Sequence, residues 1–490
     1  MPSDAQSANG VPDRGSPDVT DKEAPASGWP ARLLLFALVW FSVAWFGSWE
    51  LNPNNAVRLF AAVSLVEQGD ATIDEFAGLT IDKASFGGHT YLDKAPGMTL
   101  MALPAIWLVT RATGRTSAGE RIVWEDPVFA RFLRARQRVA VACGSALLLA
   151  LAAVLLFEIG LATTGRRDAA LFGAIGTAMG TPLWGWSTSL AGHAVVGSLY
   201  VVAIWAFLRR ARPWHGLVGG VALGWAVVVE FQAALAGLVI AIWAAWRWRR
   251  EAGAVRAIAW AVIGGVAALL PLLAYNMVAF GTPWRIGYSG VVGFEGMNQG
   301  LFGLGWPRPS VLLQILFGDW RGLFWVAPVL LAAPLGLATL GDRPRTRSLA
   351  IVAAAAAAVV LLVNASYYYW DGGNSTGPRH ALPAAALLGL GLAPWWASLH
   401  ERWQRWAAAA LLALSVAINA VIAAADIFSP PTIRLPFWRN VVERHFLLGD
   451  LRTFPSEWLG WSPWAGFWTW TLVAALLFVV LLHRVRRDCA

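Results

Sequence analysis

Residues 139–161 read VAVACGSALLLALAAVLLFEIGL, an apolar run in which Glu158 is the only charged residue. About 20 apolar residues in an α-helix are enough to cross the hydrocarbon core of a bilayer. Lipid offers no hydrogen-bond partners to an exposed backbone, so such a segment crosses as a helix. The run ends shortly before Arg166 and Arg167, which are typical of the cytoplasmic end of a span. The stretch therefore predicts a membrane-spanning helix.

The composition of the whole chain extends this prediction to an all-α polytopic membrane protein of about 12 transmembrane helices. Of its 490 residues, 57% are hydrophobic and only 14% are charged, too few for the surface of a soluble domain. The 30 Trp favour the headgroup region, and the 26 Pro are tolerated in membrane helices. No nucleic-acid partner is expected, because the cations lie in short Arg runs between apolar stretches.

The N-terminal residues differ from the rest. Residues 1–30 are rich in Pro, Ser, Asp and Gly and are predicted to form a disordered cytoplasmic tail. No basic segment precedes residues 31–49, which are interpreted as a retained first helix and not as a cleaved signal peptide. Residues 31–490 are then a single transmembrane domain. Cys143 and Cys489 match neither a disulfide framework nor a zinc site.

Clusters of arginine give the orientation of the helices. They lie at residues 166–167, 209–212, 247–250, 343–347, 402–405 and 484–487. Cytoplasmic loops carry an excess of Lys and Arg, so these clusters and both termini are assigned to the cytoplasm. The helices then pair as hairpins whose polar tips lie on the other side of the membrane. These tips are residue 230 and residues 276–321, 364–380 and 426–462.

The same rule makes residues 50–138 one large first external loop, because the spans on either side both have their neighbouring ends outside. Its one apolar run, residues 96–110, is short, contains a Pro and is predicted to be a juxtamembrane helix in the outer interface. Either this topology is wrong, or the arginines of the loop contact the phosphates of anionic membrane lipids. These arginines are Arg111, Arg115, Arg131, Arg134, Arg136 and Arg138.

The first loop is dense in candidate functional residues. Asp93 and Lys94 directly precede an apolar helix that starts with Pro-Gly, so a carboxylate and an ammonium are expected beside free amide donors. A solvated loop is also polar, and that interpretation explains any single charge. The other candidates of this loop are Asn55, Arg58, Asp82, His89 and Tyr91.

Further candidates lie in later segments. Glu230 stands between two apolar runs and is either a functional carboxylate or a water-exposed hairpin tip. His193 begins a helix, either as a packing or capping residue or as a ligand contact. Arg285 and Tyr288 lie in a loop punctuated by Gly and Pro, where Arg285 and Arg321 are placed to reach a lipid headgroup.

Residues 367–380 read YYYWDGGNSTGPRH and join an aromatic cluster to a Gly-rich turn and a cation. Aromatic rings such as Trp370 pack on sugar faces, and Arg379 offers paired donors to a phosphate. The glycines let a ligand approach the backbone closely, and Asp371 lies beside them. The alternative is an interfacial aromatic belt with an anchoring arginine.

These patterns resemble a known superfamily. The acidic first loop, the Tyr-x-Asp-Lys-x-Pro-Gly segment at 91–97 and the Trp-x-Gly-Gly-x-x-x-Gly-Pro-Arg element at 370–379 resemble the GT-C glycosyltransferases. Within it the chain is similar to the phospholipid-carrier-dependent transferases of the protein O-mannosyltransferase and aminoarabinose transferase group. The resemblance covers residues 31–380, and residues 381–490 match only in hydropathy. It implies a GT-C-like bundle with a large first extracytoplasmic loop, in a bacterial inner membrane, with its active site facing the periplasm.

The resemblance also implies a hexosyl- or pentosyltransferase. Such enzymes transfer a sugar, with inversion, from a polyprenyl-phosphate carrier to a lipid, glycan or protein acceptor. In this family the catalytic base is an Asp shortly before an Arg that Arg58 matches, but Asn54 and Asn55 stand in this region. The candidate bases are therefore Glu50, Asp82 and Asp93. The candidates for binding the donor phosphate are Arg58, Lys94, Arg285 and Arg379. The candidates for binding the substrates are Asn55, His89, Tyr91, His193, Glu230, Tyr288, Trp370 and Asp371.

No cofactor is expected, and no metal, because the first loop lacks an Asp-x-Asp motif; its Asp70, Asp74 and Glu75 still leave a divalent cation open. The main alternative function is a transporter or flippase of a lipid-linked saccharide. Such a protein would show an inverted repeat and charges at the bilayer midplane, whereas here no repeat is visible and the ionisable residues lie at helix ends. A third alternative is a non-catalytic membrane scaffold.

Overall fold

The computed structural model describes residues 29–487, so most of the predicted N-terminal tail and Cys489 lie outside the described residues. The described part is almost entirely helical. Six helical segments are long and apolar enough to cross a membrane: Pro127–Thr164, Ala254–Phe280, Arg347–Ser366, Arg379–Ser398, Arg402–Ala425 and Pro463–Arg487. Five other apolar helical segments are shorter: Trp29–Trp45, His193–Leu208, Pro213–Val229, Ala233–Trp248 and Pro328–Gly341. The prediction of an all-α polytopic membrane protein is confirmed. The described residues hold six helices of spanning length and five shorter apolar ones, where about 12 transmembrane helices were expected.

The α-helices alternate with short connections along the chain. The first ten are α1 (Trp29–Trp45), α2 (Pro53–Glu67), α3 (Gly97–Thr113), α4 (Pro127–Cys143), α5 (Ser145–Thr164), α6 (Arg167–Ala178), α7 (Leu183–Ser187), α8 (His193–Leu208), α9 (Pro213–Val229) and α10 (Ala233–Trp248). The remaining ten are α11 (Ala254–Phe280), α12 (Pro309–Phe317), α13 (Leu323–Val326), α14 (Ala333–Gly341), α15 (Arg347–Ser366), α16 (Leu382–Leu388), α17 (Leu392–Ser398), α18 (Arg402–Ala425), α19 (Phe454–Trp458) and α20 (Pro463–Arg487).

The other regular elements are short. A π-helix spans Phe437–Phe446. Strands β1 (Ala84–Phe86) and β2 (His89–Tyr91) form an antiparallel hairpin in the first loop. Short 3₁₀ helices lie at Asp74–Leu79, Ser117–Gly119, Gly287–Gly290, Glu295–Asn298, Pro328–Ala332, Arg379–Ala381 and Gly389–Gly391.

Helix α9 is held against α11 by a row of glycines. Gly216, Gly220 and Gly224 recur at every fourth position, so they lie on one face of α9. A Cβ atom at Gly220 would stand 1.9 Å from the carbonyl oxygen of Ala261, so only glycine permits this approach of the two backbones. Because Glu230 directly follows α9 as its C-cap, this packing also fixes the place of Glu230.

The start of α3 contacts the end of α9. A Cβ atom at Gly97 would stand 2.6 Å from the carbonyl oxygen of Val228, so the Pro-Gly start of α3 permits direct backbone contact. Asp93 and Lys94 lie a few residues before this contact, and Glu230 lies two residues after Val228. The docking of α3 on α9 therefore brings the first loop next to Glu230.

The arginines that conflicted with the charge rule have partners within the protein. Four form ion pairs, so lipid phosphate is not what balances these four charges, contrary to expectation. The pairs are Arg115–Glu120 (2.6 Å), Arg134–Glu50 (2.7 Å), Arg136–Glu67 (3.1 Å) and Arg138–Glu457 (2.7 Å). The remaining two lie over tryptophan rings, Arg111 over Trp107 and Arg131 over Trp458.

Candidate active site

A cavity of about 370 Å³ lies where the first loop, the end of α9 and two later loops meet. One wall carries charge, contributed by Arg58, Asp82, Asp93, Lys94, Glu230 and Arg379. The opposite wall is apolar and comes mainly from the loop after α11, with Ile286, Val291, Phe294, Met297, Leu301 and Phe302. His193 and His380 complete the charged side. The cavity therefore combines a polar centre with an apolar surface, as sites for amphipathic ligands do.

The hairpin of β1 and β2 places two carboxylates opposite each other. Its turn, Gly87–Gly88, has positive φ at both residues (59° and 86°), the backbone that two-residue hairpins require. Ala84 pairs with Tyr91, and continuing this register by two residues sets Asp82 across from Asp93. Both carboxylates therefore reach the cavity from the two arms of one hairpin.

Lys94 lies between these two carboxylates. Its Nζ donates to Oδ2 of Asp93 at 2.5 Å and lies 3.5 Å from Oδ2 of Asp82. Burial raises the pKa of Asp93 above its usual value, and the charge of Lys94 opposes that shift. Burial alone would lower the pKa of Lys94, but the carboxylates of Asp82 and Asp93 raise it above its usual value. Lys94 is therefore a cation, and Oδ1 of Asp93 has no partner among the described residues.

Arg58 and Glu230 form a buried ion pair on the same charged wall. Nη2 of Arg58 lies 3.1 Å from Oε1 of Glu230, and both side chains are at most 5% exposed. Arg58 also donates to the carbonyl oxygen of Asn54 at 2.8 Å. Burial raises the pKa of Glu230, and Arg58 opposes this. The interpretation of Glu230 as a water-exposed hairpin tip is therefore wrong, because its carboxylate is buried against Arg58 and the residue is only 4% exposed.

His193 begins α8 and lies beside Glu230. Its Nδ1 is 3.9 Å from Oε1 of Glu230, and its ring stands edge-on to the ring of His380 with the centroids 4.7 Å apart. Tyr288, from the opposite wall, packs edge-on against Phe231. These rings restrict the width of the cavity at this end.

Arg379 is a half-buried cation with no ion pair among the described residues. Its Nε has no hydrogen-bond partner, and its guanidinium lies over the ring of Trp186 at 5.7 Å. Burying a cation without an acceptor is costly, so such a group at a cavity wall is typical of a site for an anion. Arg379 and Lys94 both line this cavity.

Several residues that the sequence nominated lie outside the cavity. Glu50 is fully buried and pairs with Arg134 at 2.7 Å. The side chain of Asn55 donates to Gln137 and accepts from the backbone amide of Leu190. It therefore joins α2 to α4 and to the turn that precedes α8. The other nominated residues outside the cavity are His89, Tyr91, Arg285, Trp370 and Asp371.

These five residues have other contacts. His89 forms an exposed pair with Asp74 at 2.6 Å. Tyr91 packs on Phe280, and Arg285 lies over Phe86. Trp370 packs edge-on against Trp320, and the carboxylate of Asp371 accepts from the amide of Gly373 at 3.2 Å.

Some lining residues were missed by sequence reasoning. Tyr367 donates to Sδ of Met297 at 3.2 Å, and burial raises its pKa to about 12. The hydroxyl of Tyr369 accepts from the amide of Gly296 at 3.0 Å. Their place in the aromatic run beside the Gly-rich turn was a signal that they belong to one cluster. Phe294 and the other apolar residues of the loop after α11 carried no such signal.

The arrangement supports binding of an anion next to a base. Three cations and three carboxylates share the cavity. Among residues 29–487, no group of three or more His, Cys, Asp or Glu is placed to hold a metal ion. Metal dependence stays a prediction that the geometry does not test.

No protein-family model matches the sequence, and no curated protein matches it either. Two solved structures of ArnT from Cupriavidus metallidurans are similar to the chain. The one bound to undecaprenyl phosphate has a TM-score of 0.46 and 15% identity, and the match covers 81% of this chain and 66% of that one. The apo structure has a TM-score of 0.45 and 14% identity, with 94% and 74% covered. TM-scores below 0.5 are too low for this likeness to carry a function, so the proposed function rests on the residues of the cavity.

Proposed function

We propose that the protein transfers a sugar from a polyprenyl-phosphate carrier to a hydroxyl acceptor, with inversion at the anomeric carbon. The observation that carries this proposal is the unpaired guanidinium of Arg379, which lines, together with Lys94, a cavity that also has an apolar wall. A lipid phosphate matches both features, because its phosphate needs cations and its isoprenoid chain needs apolar surface.

The leaving group determines the role of the cations. As the bond from the anomeric carbon to the phosphate oxygen breaks, its electron pair stays on that oxygen and the phosphate gains negative charge. Lys94 and Arg379 donate to the phosphate, and Arg58 adds positive charge nearby. Fixed cations in a water-poor cavity stabilise such developing charge strongly.

The acceptor hydroxyl requires a base. Its oxygen forms the new bond to the anomeric carbon, and its proton passes to a carboxylate within hydrogen-bond reach. Asp82 fits this role better than Asp93, because the carboxylate of Asp93 is already paired with Nζ of Lys94 and Asp93 is only 1% exposed. Asp82 is more exposed and lies farther from Lys94, at 3.5 Å. We assign Asp82 as the base and Asp93 as the residue that orients Lys94.

The position of the site follows from the same chemistry. We propose that the cavity opens to the extracytoplasmic side of a bacterial inner membrane, with both termini cytoplasmic, because the arginine clusters lie at the opposite helix ends. The acceptor is a lipid, glycan or protein hydroxyl, and the transferred group is a hexose or pentose. We also propose that no divalent cation is required, since Arg58, Lys94 and Arg379 already surround the phosphate position; full activity in EDTA is the expected result.

A transfer assay tests the proposal. Membranes that contain the protein are given undecaprenyl-phosphate sugars that carry tritiated hexoses or pentoses. The lipids, glycans and proteins of the membrane supply the acceptor hydroxyls, and loss of label from the carrier is followed. We expect loss of label with the wild type, loss of activity by at least about 100-fold in Asp82→Asn, and retained activity in Glu50→Gln. Movement of intact labelled lipid between leaflets without loss of label would instead identify a flippase. Activity in Asp82→Asn equal to that of the wild type would remove Asp82 from the mechanism.

A further inference from the structure

Arg321 lies outside the cavity and is fully buried, yet it has no carboxylate partner within 4 Å among the described residues. Its guanidinium donates instead to three backbone carbonyls, those of Asp371 (2.8 Å), Gly373 (2.8 Å) and Trp320 (3.3 Å). Burial lowers the pKa of Arg321 to about 10, which leaves it a cation at neutral pH. A buried cation on a turn of backbone needs an explanation, because an apolar residue would cost less to bury.

Two of the three carbonyls that Arg321 binds, those of Asp371 and Gly373, lie on either side of Gly372. Gly372 and Gly373 both have a left-handed backbone, with φ of 75° and 61°, which glycine adopts without strain. Neither residue lies in a helix or a strand, so no regular hydrogen-bond pattern fixes this backbone. Two of the three hydrogen bonds of Arg321 therefore hold the backbone on both sides of Gly372 and support the shape of this turn.

The turn is the surface on which Arg379 lies. A Cβ atom at Gly372 would stand 2.9 Å from Cγ and 3.0 Å from Nε of Arg379, so the side chain of Arg379 rests directly on the backbone of Gly372. On the far side of the turn, Thr376 is fixed by its hydrogen bond to Ser429 at 2.6 Å. The segment is thus held at both ends, by Arg321 and by Thr376.

We infer that Arg321 is a positioning residue for the anion site: it holds the Gly372–Gly373 turn in the shape that directs the Arg379 guanidinium into the cavity. The identity of the anion, a lipid phosphate, rests on the proposed function, whereas the positioning itself does not. The planar guanidinium suits this task, because its fixed fork reaches converging carbonyls that a single ammonium cannot all satisfy.

Arg434 provides a matched control. Its guanidinium lies 5.0 Å from the ring centre of Trp320, the same distance as that of Arg321. Arg434 pairs with exposed Asp319 at 3.2 Å and donates to neither carbonyl of the turn. Arg434→Gln therefore removes a cation from the same tryptophan and leaves the turn untouched.

The first measurement needs no ligand. Hydrogen exchange is followed in the full-length protein in nanodiscs, for the wild type, Arg321→Gln, Arg321→Lys and Arg434→Gln. We expect faster exchange confined to residues 371–379 in Arg321→Gln, an intermediate effect in Arg321→Lys, and no change in Arg434→Gln. Unchanged exchange at residues 371–379 in both Arg321 variants would overturn the inference, as would an equal change in Arg434→Gln.

The second measurement tests the coupling to Arg379. Undecaprenyl phosphate is titrated into nanodiscs that hold the wild type, Arg321→Gln, Arg379→Gln or the double variant. We expect about tenfold weaker binding in Arg321→Gln and no further loss when it is added to Arg379→Gln, because both act on one contact. Losses that multiply in the double variant would overturn the inference. A wild type that binds no undecaprenyl phosphate would refute the proposed function, and the exchange data would still decide the role of Arg321.

Discussion

Replacement of Lys94 by glutamine removes one cation from the proposed phosphate site and keeps a side chain of similar length. A hydrogen bond to a charged group contributes about 1.5–3 kcal/mol, so the loss predicts about 10- to 100-fold weaker binding of a polyprenyl phosphate. Loss of one donor to a developing negative charge lowers kcat by about 100- to 1,000-fold. The protein should still fold, because the buried carboxyl of Asp93, whose pKa is already raised by burial, then takes up a proton.

Lys83 provides the control for this experiment. It lies beside Asp82 in sequence, but its Nζ donates to the carbonyl oxygen of Ala77 at 2.6 Å and does not line the cavity. Kd is measured by titration of undecaprenyl phosphate into nanodiscs, and kcat by the loss of tritiated sugar from the carrier. Lys83→Gln should change both by no more than about twofold. Equal losses in the two variants, or a Lys94→Gln protein that binds and turns over like the wild type, would refute the assignment of Lys94.

Three further results are expected. Glu230→Ala should lower the free energy of unfolding by about 3–5 kcal/mol, measured by denaturation in detergent, because it leaves the buried cation of Arg58 unpaired; a loss below about 1 kcal/mol would contradict the burial of this pair. Gly220→Leu should prevent normal packing of α9 on α11 and reduce the yield of folded protein, whereas Gly237→Ala, whose added Cβ would have its nearest neighbour at 3.8 Å, should be tolerated. Burial raises the pKa of Asp93, so lowering the pH through that pKa adds a proton to this carboxylate. The proton frees Lys94 for the ligand and should strengthen the binding of undecaprenyl phosphate. Asp93→Asn should remove this pH dependence, and a pH dependence that persists in Asp93→Asn would assign the effect to another group.

The fold class could be predicted because it depends on local composition. An apolar run of about 20 residues spans a membrane whatever it packs against, so hydropathy alone gave the spans. The hairpin was not predicted, although its signal was equally local: Gly87–Gly88 is typical of a two-residue turn, and its register sets Asp82 across from Asp93. These two carboxylates and Lys94 were nominated from the sequence, and the structure brings them together.

The ion pairs of α4 could not be predicted, because their partners are distant in sequence. Arg138 pairs with Glu457, which lies 319 residues later. Glu50 is near Arg58 in sequence and was a candidate base for that reason, but Arg134, 84 residues later, takes it as a partner. Tertiary packing decides such pairs, and spacing along the chain carries no information about them.

The environment of Glu230 needed the same long-range information. Its flanking apolar runs allowed both a buried and an exposed carboxylate. The glycines of α9 were a local sign of close helix packing, but the residue that covers the end of α9 is Gly97, from the first loop. The apolar wall of the cavity likewise comes from the loop after α11, whose sequence shows no periodicity that would set its side chains against the first loop.

The most direct test of the central claim, that the cavity holds a lipid phosphate through its unpaired cation, is equilibrium binding of undecaprenyl phosphate to the full-length protein in nanodiscs. Arg379 lines the cavity, whereas Arg285 lies over Phe86 outside it. We expect saturable binding to the wild type, about tenfold or greater weakening in Arg379→Gln, and unchanged binding in Arg285→Gln. Absence of binding to the wild type, or equal weakening in the two variants, would contradict the claim.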